Sequence, residues 1–220
     1  METAILIISL LAVGLLIGGI IYFSTQAAKK RAAGMATYAA ANGWQKIEDT
    51  KTTAILANLP LISGRYTAAA LNSYSRIVGS NWFIYCDFVL QRGTGKGREY
   101  YVQTGLIATG TDLIVPHFAM TYRSMLTALL PKGNGEEVVF ADSPGFAAKY
   151  LVKSPTAIET QAFLTPATLA ALESTEKLWM IGHGNAVAVF EPFKPAKIAN
   201  FSERLQTLEG ILSLLAAPRP

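Results

Sequence analysis

Two kinds of pattern divide the chain. Ala4 to Phe23 is an uncharged run of 20 residues, AILIISLLAVGLLIGGIIYF. At a rise of 1.5 Å per residue, about 20 apolar residues match a bilayer core of about 30 Å, so the run predicts one membrane-spanning helix. The next stretch, 24–43, is alanine-rich, basic and free of proline. It predicts a stem helix that continues out of the span, with Met35, Tyr38 and Ala39 on one face and a stop at Asn42-Gly43, where glycine accepts a left-handed backbone.

After Trp44 the period changes. A short helix is expected around Thr52 to Leu59, ended by Pro60, and a strand pair or strand and turn within Leu61 to Ser75. Asn81 to Gln91 and Arg98 to Thr109 are dense in aromatic and β-favouring residues and predict a hairpin across the turn RGTGKG. Leu113 to Met120 adds a strand interrupted by Pro116, and Val138 to Phe140 a short one within the loop-rich stretch 131–145. Ser154-Pro155 and Thr165-Pro166 have the cap-then-proline form of helix starts, predicting helices over 155–163 and 166–174. Lys177 to Met180 and Ala186 to Phe190 flank Gly-His-Gly-Asn, a second hairpin. Ile198, Phe201, Leu205, Leu208, Leu212 and Leu215 recur every three or four residues, the apolar stripe of an amphipathic final helix that faces either the core or a partner.

The expected fold class is therefore α+β. A single N-terminal transmembrane helix continues into the stem; an antiparallel sheet with hairpins, short helices and a C-terminal amphipathic helix follow. The expected organisation is an external tail at 1–3, the span at 4–23, the basic stem at 24–43 and one cytoplasmic domain at 44–220, with a possible internal boundary near 131–145.

Composition agrees with a membrane segment. The chain is 51% hydrophobic and 15% charged, with a mean hydropathy of +0.31, against roughly 25% charged for an ordinary soluble domain. A cleaved signal peptide would need a basic start and a shorter apolar run, whereas this chain begins Met1-Glu2-Thr3. Lys29, Lys30 and Arg31 directly follow the run and nothing basic precedes it. Basic flanks stay cytoplasmic, which places the N-terminus outside and the domain inside at a bacterial inner (cytoplasmic) membrane. The same three bases are candidate contacts to anionic lipid. Gly14 and Gly18 form a small-xxx-small pair that could seat the span against another membrane helix. The span has no His, acid or base, which leaves no ligand for a haem or pigment.

Candidate chemistry is sparse. Gly93-Thr94-Gly95-Lys96-Gly97 has Gly97 where a phosphate loop needs Ser or Thr, so it reads as a turn, with Arg92, Lys96 and Arg98 as candidate contacts to lipid headgroups or an acidic partner. The chain has two histidines, His117 and His183, and one cysteine, Cys86, with no metal-ligand spacing among them. Whether these three meet in space is open in the sequence. Cys86 alternates with Ile84 and Phe88, the pattern of a buried, inert thiol. Glu136-Glu137 and Asp142 read as a solvated acidic loop. Trp82 and Trp179 read as core residues of strands. Scattered bases argue against nucleic acid.

The order of parts (anchor, basic stem, Asn42-Gly43-Trp44 helix end, sheet, final helix) resembles a set of uncharacterised bacterial single-pass membrane-anchored proteins with a cytoplasmic α+β domain. That resemblance implies no activity. The expected function is a non-catalytic accessory or scaffold subunit of a bacterial membrane complex, for example a photosynthetic, light-harvesting or respiratory electron-transport assembly. Its expected partners are lipids and other membrane subunits, and it needs no cofactor, metal or catalytic residue. The alternative is a membrane-anchored enzyme or a lipid- or ligand-binding domain whose site the sequence does not display.

Overall fold

A computed structural model of the protein describes residues 25–59, 66–93, 98–123, 135–175, 177–191 and 196–217. The apolar run 4–23, with Gly14 and Gly18, lies outside these residues. Among the described residues no helix is long and apolar enough to cross a membrane. The described stem helix, α1 (25–41), carries Lys29, Lys30 and Arg31, and the final helix is polar along its outer face. The expected N-terminal transmembrane helix is therefore not seen among the described residues, whose fold class is α+β built on one antiparallel sheet.

Nine strands of described residues form that sheet: β1 (Gln45–Lys46), β2 (Tyr66–Val78), β3 (Asn81–Arg92), β4 (Glu99–Thr109), β5 (Val115–Tyr122), β6 (Glu136–Glu137), β7 (Tyr150–Ser154), β8 (Trp179–Gly184) and β9 (Ala186–Phe190). Their order across the sheet is β1-β2-β3-β4-β9-β8-β5-β7-β6. The β3–β4 hairpin is in continuous register from Trp82 opposite Thr109 to Arg92 opposite Glu99. β2 slips register between Leu71 and Tyr74, where Asn72 takes a φ of 54°; Asn is among the few side chains that tolerate that conformation. Strands on both sides of 131–145 belong to the same sheet.

The helices are α2 (Asp49–Ala57), α3 (Pro144–Lys149), α4 (Ala157–Phe163), α5 (Pro166–Ser174) and α6 (Phe201–Ala216). Thr165 caps α5 by accepting from the Thr168 N–H at 3.4 Å, with Pro166 in the first turn. α1 ends where expected: Gly43 has a φ of +71° and the Trp44 N–H reaches back to the Ala39 carbonyl at 3.0 Å.

Apolar side chains fill both faces of the sheet. On one face α1 and α6 cover Phe83, Tyr85, Leu106 and Val189. Tyr85 is the centre of that layer. The rings of Trp44, Tyr74, Phe201 and Tyr38 lie 4.8, 5.0, 5.4 and 6.1 Å from it, and its hydroxyl donates to the Met35 carbonyl at 2.9 Å. On the other face Leu56 of α2 and Leu59 beyond it join Ile84, Cys86, Phe88 and Ile107.

Three local expectations shift. The short strand at 138–140 forms at Glu136–Glu137 instead, although the Val138 N–H still pairs with the Val152 carbonyl. The β8 strand runs on through His183 to Gly184. Trp82, expected in the core, is 49% exposed; it lies at the end of β3 beside Ile77, its cross-strand partner, past the reach of α2.

Candidate interaction site at the stem–sheet junction

The stem is held to the sheet by one charged cluster. Arg31 donates to both oxygens of Asp87, from Nε at 2.5 Å and Nη2 at 2.6 Å. Asp87 also accepts from the Thr104 hydroxyl at 2.7 Å, which in turn accepts from the Ala196 N–H at 3.0 Å. A third guanidinium nitrogen of Arg31 donates to the Ala196 carbonyl. Helix, two strands and the lead-in to α6 thus meet on one planar group, a geometry that a guanidinium satisfies and an ammonium does not. The Arg31 side chain is 19% exposed and that of Asp87 3%. Arg31 therefore faces inward, which corrects its expected role as a lipid contact. Lys29 and Lys30, on the next positions of the helix, remain exposed.

The same contacts fix the direction of the stem. Arg31 sits at Asp87, Met35 at Tyr85, and Trp44 stacks on the guanidinium of Arg76, whose strand partner is Phe83. α1 therefore runs antiparallel to β3, and its N-terminal end points at the tip of the β3–β4 hairpin.

The stripe on the final helix faces the sheet. Phe201, Leu205, Leu208, Leu212 and Leu215 are all buried, and Phe201 packs edge-on to Tyr38 at 5.2 Å. Ile198 lies in a short 3-10 turn before the helix. On the outer side Arg204 pairs with Glu191 at 2.5 Å, and Arg76 with Glu209 at 2.9 Å. Burial holds the Glu209 carboxyl above the usual range despite Arg76.

Sequence separation hid one meeting. Pairing of β5 with β8 brings His117 and His183 together, with ring centroids 5.2 Å apart. Cys86 does not join them. It shares a row with Gly105 and Phe190, whereas His183 shares a row with Ala186, Thr109 and Trp82. Those rows are four residues apart, roughly 13 Å along the strands. Burial and then the charge of Asp87 push the Cys86 thiol far above its ordinary range, the condition of an inert thiol. Among the described residues no three His, Cys, Asp or Glu side chains gather as metal ligands would.

Sequence reasoning also missed Gln103. It is fully buried on the α2 face, directly across from Phe88, and neither amide atom has a hydrogen-bond partner. Only its place in the polar-to-apolar alternation of β4 could have flagged it.

Open space is limited at the junction. The cleft between Thr104, Leu178, Ala196, Phe201 and Leu205 has a volume of about 20 Å³, room for about one water. A wider groove of about 420 Å³ lies between α2 and the β8–β9 turn, lined by Ile55, Asn58, Thr109 and His183.

No protein-family model matches the chain, and no curated relative matches it. Among solved structures the fold is similar to the crystal structure of the mycobacterial trehalose monomycolate transport factor A, with a TM-score of 0.55 at 12% identity, over 86% of this chain and 97% of that one. At that identity the likeness is one of fold. The neighbour is a transport factor, so the expectation of a photosynthetic or electron-transport assembly is set aside in favour of an architecture shared with that factor.

Proposed function

We propose that the protein is a non-catalytic accessory factor of a bacterial cell-envelope assembly that handles lipid, working at the inner face of the cytoplasmic membrane. The observation that carries this reading is the Arg31–Asp87 lock. It makes the stem and sheet one rigid piece, the property expected of a spacer that presents a domain to neighbours at a set distance and angle. The fold supports it, since the trehalose monomycolate transport factor is similar in fold over nearly its whole length. The cleft at the junction, about 20 Å³, is too small to hold a lipid, since ligand cavities run to roughly 300–1,000 Å³.

The test is depletion of the protein in its host, with newly made envelope lipids labelled and followed from their site of synthesis to the outer layers. The expected result is a build-up of one lipid class on the inner side, reversed by the wild-type gene and not by Arg31→Met. Unchanged lipid distribution in depleted cells would overturn the reading.

A further inference from the structure

The hairpin-tip end of the sheet gathers positive charge and exposed apolar surface on the side to which the stem points. Tyr100, Val102 and Thr104 alternate along β4 and so share a face. Thr104 bonds Arg31, which identifies it as the face that α1 crosses. Four residues of strand separate Thr104 from Tyr100, roughly 13 Å, and Lys29 and Lys30 lie one or two helical positions before Arg31, in that same direction. Tyr100 is 58% and Val102 40% exposed, in the half of β4 that pairs with β3 and precedes its pairing with β9. Arg98, two residues before Tyr100, shares this face; Arg92, directly opposite Glu99, sits at the same strand end on the reverse face, and both arginines are exposed. The acid among these residues, Glu99, lies 4.0 Å from Arg92 and accepts from the Tyr101 hydroxyl at 2.7 Å. At this end of the sheet three bases, Lys29, Lys30 and Arg98, thus lie on the side of an amphipathic aromatic, and Arg92 with Glu99 lies on the reverse.

We infer that this end, formed by Lys29, Lys30, Arg92, Arg98, Tyr100 and Val102, docks directly on an anionic phospholipid bilayer, with Tyr100 at headgroup depth. The charge balance selects an anionic surface. Tyrosine suits the boundary because its ring is apolar and its hydroxyl wet. The Arg31–Asp87 lock fixes the two lysines relative to the hairpin, so they and the hairpin's two arginines, one on each face, meet a surface end-on. Among the described residues the opposite end of the sheet lacks this combination: Ile77 and Trp82 are exposed there beside neutral Ser80 and Asn81. The inference refines the membrane placement in the proposed function. It is tested on purified protein, so its failure is distinct from an unchanged lipid distribution in cells.

The experiment uses the full chain in vesicles. A polarity-sensitive fluorophore is attached at Tyr100→Cys, at Val102→Cys or, as the remote control, at Ile77→Cys; Cys86 is fully buried and does not compete for label. Phosphatidylglycerol is raised stepwise in phosphatidylcholine. The expected result is a blue shift and quenching by spin-labelled lipid at Tyr100→Cys and Val102→Cys. Both should grow with phosphatidylglycerol, vanish in 1 M salt and persist in millimolar inorganic phosphate. Each base near the surface is worth about five-fold in contact, so Arg92→Gln with Arg98→Gln should weaken it about 30-fold. Salt and lipid are varied on one labelled protein, so the outcome does not depend on that variant folding. A label at Tyr100→Cys that stays in water at every phosphatidylglycerol fraction would overturn the proposal and assign the end to a protein partner. An equal shift in pure phosphatidylcholine, loss of the shift in phosphate, or immersion of Ile77→Cys instead would also overturn it.

Discussion

Replacing Arg31 by methionine removes the group on which the stem, β3, β4 and the approach to α6 converge. Methionine keeps most of the stem of the side chain and its helix propensity, so the change isolates the charge and its hydrogen bonds. Asp87 would lose two of its three donors, keeping only the Thr104 hydroxyl, and its side chain is 3% exposed. An unpaired buried carboxylate left in this way destabilises a fold by about 3–5 kcal/mol. Removing the charge on both sides, Arg31→Met with Asp87→Leu, abolishes the orphan. The double variant should recover that loss, about 3–5 kcal/mol relative to Arg31→Met alone, because replacing both members of a buried pair is often neutral or better. The measurement is urea unfolding of the four proteins of the cycle, followed by near-ultraviolet circular dichroism. That signal reports the aromatic cluster around Tyr85, which lies beside the lock. A loss below about 1 kcal/mol in Arg31→Met, or strictly additive single effects, would refute the reasoning, because contacting groups in one network should couple.

Three further outcomes follow from the same packing. Leu212 is fully buried and Leu214 is 40% exposed; Leu212→Ala should lower unfolding free energy by about 2–5 kcal/mol and Leu214→Ala by at most about 0.5 kcal/mol. A Cβ on Gly182 would stand 2.4 Å from Phe118 and 2.5 Å from Val115, so Gly182→Ala should cost about 1–3 kcal/mol through overpacking, read as a lower melting temperature. Two carboxyls should tilt the pH dependence in opposite senses. Burial raises the Asp49 value, but donors from Ser73 and Lys46 outweigh it and leave the carboxyl below its usual range. Its contribution is present above an unfolded value of about 4 and lost as pH falls. For Glu209, which burial holds above the usual range, stability is fullest at low pH and declines as pH rises from about 4 through the raised folded value. Asp49→Asn should flatten the acid limb, and Glu209→Gln should remove the decline on the other side; stability–pH curves of both variants check the signs.

Local order was legible where a short period or a cap decides it. The stem with its Asn42-Gly43 stop, the β3–β4 hairpin, the Thr165-Pro166 start and the stripe from Phe201 to Leu215 all depend on residues a few positions apart. What stayed hidden depends on distant pairing. Lys29, Lys30 and Arg31 are equivalent as a basic run, and only Asp87, brought up by β3, selects one of them for the interior. His117 and His183 look unrelated until β5 pairs with β8. Trp82 has the composition of a core residue, and its exposure follows from where α2 stops covering the sheet. Gln103 is a polar residue in a strand face that the fold seals, and no neighbour in sequence announces it.

The strand order carries a consequence for synthesis on the ribosome. β4 and β5 are nearly consecutive in the chain, yet the β8–β9 hairpin lies between them in the sheet. While residues 179–190 are still unmade, β4 and β5 each present an unpaired edge, and such edges invite pairing with other chains. The hairpin acts as a keystone that arrives late and closes both. Contacts of this sequence separation form slowly, so the nascent protein should be most prone to aggregation, and most dependent on holding chaperones, after β5 emerges and before β9 does.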